Sequence, residues 1–126
     1  MTFPRTILTT AALLGAAAVV LGAFGAHALR DSLDERALAT WHTAVDYQFW
    51  HVLALIGVAA IARDGVSGAL RTCAIAFIVG IVLFCGSLYV LALGAPSGFG
   101  AITPLGGVAL LIGWFGLAVH AFLRAR

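Results

Sequence analysis

Residues 70–93 read LRTCAIAFIVGIVLFCGSLYVLAL, a run whose one charge, Arg71, lies at its edge. A helix needs about 20 apolar residues to cross the hydrocarbon core of a bilayer, and this run is long enough. Strands are much shorter, and an uninterrupted apolar run of this length lacks the alternation that would place one face in water. Three further runs of the same kind flank it, at about 7–29, 43–62 and 104–123. The segments between them are short, and only 30–42 has room for extra structure. The expected fold is all-α, an integral membrane four-helix transmembrane bundle running up-down-up-down, with residues 1–126 forming a single transmembrane domain.

Composition excludes the soluble alternatives. Of 126 residues, 63% are hydrophobic and 10% charged, and the mean hydropathy is +1.10. Soluble domains carry about a quarter charged residues. This chain cannot cover itself with polar surface, so an ordinary soluble enzyme, a disordered protein and a disulfide-stapled secreted domain are all excluded.

The charges sit between the spans and set the orientation. Arg5 precedes the first run, Arg63, Asp64 and Arg71 lie around the second connection, and Arg124 and Arg126 follow the last run. With four crossings these share one side, which holds five arginines against two, Arg30 and Arg36, on the other. The positive-inside rule then places both termini on the cytoplasmic side. Ala26-His27-Ala28 has the form of a signal-peptide cleavage site. The apolar run before it exceeds the usual length of about 7–15 residues, which favours a retained first helix.

Local signals suggest where the helices begin and end. Ser32 and Glu35 have capping-box spacing, so a helix is expected from Leu33 into the second span. Thr103-Pro104 reads as the N-cap and first residue of the fourth span. Residues 94–100 form an expected tight turn on the outer side, and Gly65 and Gly68 mark the inner one. Between helices in lipid, small residues allow close backbone approach. Ala18, Gly22 and Ala26 recur every fourth residue on the first span, Ala76 and Gly80 on the third, and Ala109 and Gly113 on the fourth. Packing within the bundle is the simpler explanation for these stripes, and a dimerisation face the sharper one.

Polar residues are segregated. His27 closes the first span on the outer side. His42, Asp46, Tyr47, Gln48 and His51 occupy the outer half of the second, Ser87 and Tyr89 that of the third, and Thr103 opens the fourth. The inner half has little besides Cys73 and His120. Intramembrane polar groups must be satisfied within the bundle or face water. His42 and Asp46 share one helical face, and Tyr47 and His51 share another. Such a cluster serves as a hydrogen-bonded plug fixing helix register, as a site for a small polar ligand, lipid headgroup or quinone, or as a proton relay through Asp46. The first of these needs the fewest assumptions.

Other chemistry is poorly supported. His42 and Asp46 have workable ligand spacing, and His27 could approach from the first span, but no H-E-x-x-H motif, paired cysteines or i,i+4 histidine pair accompanies them, so no metal or cofactor is expected. Cys73 and Cys85 lie about 18 Å apart on one helix and cannot form a disulfide. Trp41 fits an outer interfacial belt, and Trp50 and Trp114 lie deeper. There is no nucleophile triad, phosphate loop, dinucleotide fingerprint or nucleic-acid surface, and the net charge of +2 comes from membrane-flanking arginines.

Several motifs together resemble a known family. Leu21-Gly22-Ala23-Phe24-Gly25-Ala26-His27 ends the first span, and Tyr47-Gln48-Phe49-Trp50-His51 followed by Leu53-Ala54-Leu55 lies in the second. Gly86-Ser87-Leu88-Tyr89 with Leu91-Ala92-Leu93 lies in the third, and Thr103-Pro104, Gly106-Gly107 and Gly113-Trp114 lie in the fourth. The pattern resembles the small bacterial inner-membrane proteins catalogued as domain of unknown function 423, and it covers essentially the whole chain. The resemblance implies four membrane helices and no particular activity. It also implies that His27, Gln48, His51, Ser87, Tyr89 and Thr103 matter together. The expected function is therefore non-catalytic, that of a small structural or accessory protein in the lipid bilayer, docking on a larger membrane complex or self-associating. A small transporter or a lipid-, quinone- or ligand-binding protein is the alternative. A four-helix multidrug exporter would want a carboxylate deep in its first span, which has none.

Overall fold

A computed structural model describes residues 1–124. The first span is α1, Phe3–His27. The second is α2, Glu35–Ile61, extended by a 3-10 turn, Ala62–Asp64. The third joins α3, Gly68–Gly80, to α4, Gly86–Ala92, through a π-helical segment, Ile81–Cys85. A 3-10 turn at Ser97–Ala101 leads into α5, Ile102–Arg124, the fourth span. All four are long and apolar enough to cross a membrane.

The expected helix starts need two corrections. Asp34, not Ser32, caps α2, its Oδ1 accepting the Ala37 N–H at 2.7 Å. Ser32 instead turns its hydroxyl back to the Ala28 carbonyl at 3.3 Å. A carboxylate at this position also complements the positive end of the helix dipole. Thr103 is not an N-cap, because α5 begins at Ile102 and the Thr103 hydroxyl is used in a contact with the third span. At the other end of that connection Gly94 takes φ +93°. There the Gly94 and Ala95 N–H groups bond the Leu91 and Val90 carbonyls, closing α4 with a Schellman motif.

The π segment is the largest departure from the expected single α-helix. An i→i+5 turn adds a residue to the helical cycle and so rotates everything beyond it by about 100°. Below the segment, Cys73, Phe77 and Gly80 point into the bundle. Above it, Ser87 reaches α5 while Tyr89 reaches α2.

The spans pack in chain order. α1 lies against α2, α2 meets the third span mainly through α4, and α3 lies along α5. In the most apolar stretches of the first and last spans 17% of residues are buried, against 44% and 39% for the second and third, so the outer pair present most of their surface to lipid. Burial in lipid does not by itself hold such helices together, so close backbone packing must. Gly106 lies against the Phe84 backbone and Gly80 against Leu110, while a Cβ on Gly113 would fall 2.5 Å from the Phe77 ring. Ala76 is buried beside this seam and Ala109 half-buried.

On α1 the expected stripe is only partly right. Ala18 is buried and Gly22 faces Val45, but Ala26 is exposed. The seam instead follows Ala11, Ala18 and Gly25, with Gly25 directly beneath the Trp41 indole. A four-residue step drifts about 40° around the helix, whereas a seven-residue step stays within about 20° of its starting line.

Candidate functional site

Gln48 lies at the centre of the polar interior. It is buried in α2, donates from Nε2 to the Leu14 carbonyl of α1 at 2.8 Å, and accepts the Tyr89 hydroxyl at Oε1, also at 2.8 Å. One turn pair earlier on α2, Trp41 donates its indole N–H to the Leu21 carbonyl of α1 at 2.9 Å. The two donors are seven residues apart on α2, and their acceptors seven apart on the antiparallel α1. Small residues on α1, Gly15 and Ala18 beside Leu14 and Gly22 and Gly25 beside Leu21, leave these carbonyls open to a neighbouring helix. Tyr89 then meets the Trp41 ring edge-on, with centroids 4.7 Å apart. Trp41 is therefore an interior bonding group at 2% exposure, not the interfacial-belt residue expected.

His51, one turn below Gln48, is also buried. Its Nδ1 lies 2.6 Å from the Tyr47 carbonyl, which can only accept, so Nδ1 carries the proton. Nε2 then offers a lone pair and accepts the Trp114 indole N–H at 3.2 Å. Both ring nitrogens are engaged, tying α2 to α5. The rings of Tyr47, Phe77 and Trp114 surround the imidazole at 5.9, 5.7 and 6.0 Å.

The third group joins the last two spans. The Ser87 hydroxyl donates to the Phe84 carbonyl at 2.9 Å, which leaves its oxygen to accept from Thr103, 2.6 Å away. This bond lies just beyond the π segment, where Gly106 lets α5 approach the Phe84 backbone.

The nine polar side chains singled out in the sequence thus divide. Gln48, Tyr89, His51, Ser87 and Thr103 enter three bonded groups, with Tyr47 stacked on His51. His27, His42 and Asp46 are exposed, and among the described residues they make no hydrogen bond or ion pair. The helical wheel explains the division. Trp41, Gln48 and His51 fall on one side of α2, while Asp46 lies about 200° from Gln48. Trp41 and the carbonyls of Leu14 and Leu21 were not among the residues selected. An indole on the Gln48 face, one heptad away, is the signal that would have found it.

Beside His51 a groove of about 690 Å³ runs between α2 and α5, lined by Tyr47, Trp50, Phe84, Leu111 and Trp114 among others. Trp50 and Trp114 are 54% and 47% exposed, so the groove opens toward the lipid-facing surface. At the opposite end of the bundle, the Ser67 hydroxyl caps α3 through the Leu70 N–H at 3.2 Å and meets His120 Nδ1 at 2.9 Å. His120 Nε2 is buried without a partner among the described residues.

Four apolar spans joined by interior hydrogen bonds define a small polytopic membrane protein. The profile of the family described as "Protein of unknown function (DUF423)" matches residues 21–107, and the chain belongs to that family. It is 48% identical over 106 residues to the UPF0382 membrane protein YwdK of Bacillus subtilis, covering 82% of this chain and 85% of that one. It is 43% identical to a UPF0382 membrane protein of Haemophilus influenzae, covering 91% and 92% of the two chains. Against the UPF0382 inner membrane protein YgdD of Escherichia coli K12 it is 38% identical, covering 97% and 93%. No solved structure matches the chain.

Proposed function

We propose that this is a non-catalytic accessory protein of the bacterial inner membrane, with both termini cytoplasmic, that acts through its outer surface on a larger membrane complex or on further copies of itself. The observation carrying this reading is how the interior polar groups are used. Gln48 is bonded at both ends of its amide, His51 at both nitrogens, and Ser87 to Thr103 and a carbonyl. Groups committed in this way hold helix register, and the buried side-chain polar atom left unpartnered among the described residues, His120 Nε2, lies at the far end of the bundle. The arginine distribution supports the orientation, since Arg5, Arg63, Arg71 and Arg124 lie at one end; Arg126 lies outside the described residues. The naming of YgdD as an inner membrane protein supports the compartment. Nothing in this reading involves nucleic acid.

A second reading rests on the groove beside His51. Its aromatic walls and lateral opening suit a hydrophobic molecule such as a lipid or quinone, with the imidazole as its polar contact. Mass spectrometry of the tagged protein, extracted with its native lipid in polymer discs, separates the two. The accessory reading expects assemblies larger than the protomer at stoichiometric ratio. A protomer carrying one tightly retained small molecule, lost in His51→Phe, would overturn it in favour of the second.

A further inference from the structure

We infer that the arginine-bearing end of the α1–α2 seam is a binding site for an anionic phospholipid. Because α1 and α2 are antiparallel, the start of the first meets the end of the second, and a groove of about 700 Å³ lies between them. Arg5, from the first turn of α1, and Arg63, from the 3-10 turn after α2, both line it.

Two other arginines at this end, Arg71 and Arg124, have partners. Arg71 lies 5.3 Å from the Phe3 ring centroid, and Arg124 donates to the Asp64 carbonyl at 3.1 Å. Arg5 and Arg63 are exposed and make no hydrogen bond or ion pair among the described residues. Two like charges lining one groove are relieved by an anion between them, and guanidinium groups match phosphate geometry.

The remaining walls identify the anion. Leu8 on α1 and Ile56 and Ala60 on α2 are exposed and continue the groove along the spans. A free phosphate has no use for such walls. A phospholipid fits both parts, with its phosphodiester at Arg5 and Arg63 and an acyl chain along Leu8 and Ile56. A net negative headgroup is favoured over a zwitterionic one, whose ammonium would add a third cation to the site.

Native mass spectrometry of the full chain in mild detergent tests this, titrating phosphatidylglycerol and phosphatidylethanolamine of identical acyl chains. Phosphatidylglycerol is expected to bind more tightly. At the strength of an arginine beside an anionic surface, Arg5→Gln and Arg63→Gln should each weaken it ~5-fold and the double variant ~25-fold. Arg63→Lys should retain most of the affinity, and Arg36→Gln, at the other end of the bundle, all of it. Equal binding of the two lipids by the unaltered protein, or an unaffected double variant, would overturn the assignment. Displacement of the lipid by glycerol phosphate at matched concentration would also overturn it, by showing a site for small anions.

Discussion

Tyr89 and Gln48, 41 residues apart in sequence, share a 2.8 Å hydrogen bond across the α2–α4 contact. Because the same amide donates to the Leu14 carbonyl, one side chain links three of the four spans. The fourth is joined through Ser87–Thr103 and His51–Trp114. In hydrocarbon no water replaces a lost partner, so each of these groups favours one helix register over its neighbours.

Close approach of α5 to the third span depends on Gly106, which rests on the Phe84 backbone. A methyl group there must push the helices apart, since a backbone cannot swing aside. Gly106→Ala should cost ~1–3 kcal/mol of stability. Gly57→Ala, where nothing lies within 4 Å of the added carbon, should be neutral or slightly stabilising. Thermal unfolding midpoints of both variants in one detergent make the comparison, and equal losses would contradict the packing described.

Ser67 has two tasks, capping α3 and holding His120. Ser67→Ala removes both, and ~1–2 kcal/mol should be lost with them. Ser67→Thr, which keeps the hydroxyl, should recover most of it. Hydrogen exchange localises the effect, with the Leu70 amide expected to lose protection in the alanine variant.

Asp46 is exposed and outside the three bonded groups. Asp46→Asn should therefore change stability by no more than ~0.5 kcal/mol. Proton flux in proteoliposomes should match the unaltered protein at every pH. A loss of pH-dependent flux would revive a relay through this carboxylate.

Orientation is open to direct labelling. Cys73 and Cys85 are buried, so single cysteines placed at Thr2 and Ser97, both exposed, should dominate the signal. A membrane-impermeant maleimide added to intact spheroplasts should label Ser97→Cys and spare Thr2→Cys. The reverse pattern would invert the orientation.

The spans are legible in the sequence because hydrocarbon thickness imposes a length that nothing else in so apolar a chain explains. Their neighbour order follows from short connections. The π segment is not legible, since 81–85 reads like the rest of its helix, and it decides where Ser87 and Tyr89 point. The Ser32–Glu35 spacing mimics a capping box and hides the true cap two residues on, Asp34, which only the bond to Ala37 reveals. Depth along a span can be counted from residue spacing, and by that count these polar residues gather toward one end of the bundle. Which face of a span meets a neighbouring helix cannot be counted that way, because it depends on how the helices are arranged. Periodicity alone also could not separate Gly25, beneath Trp41, from the exposed Ala26 beside it.

That the interior polar groups act as a structural tie is tested most directly by a double-mutant cycle on Gln48→Met and Tyr89→Phe, with reversible unfolding followed in bicelles. The cycle removes the Leu14 contribution and isolates the pair. A favourable coupling of ~0.6 kcal/mol is predicted, the average for hydrogen bonds between membrane helices, with ~1.7 kcal/mol as the upper bound. Coupling indistinguishable from zero would contradict the account, because the bond at its centre would then contribute nothing to holding the spans together.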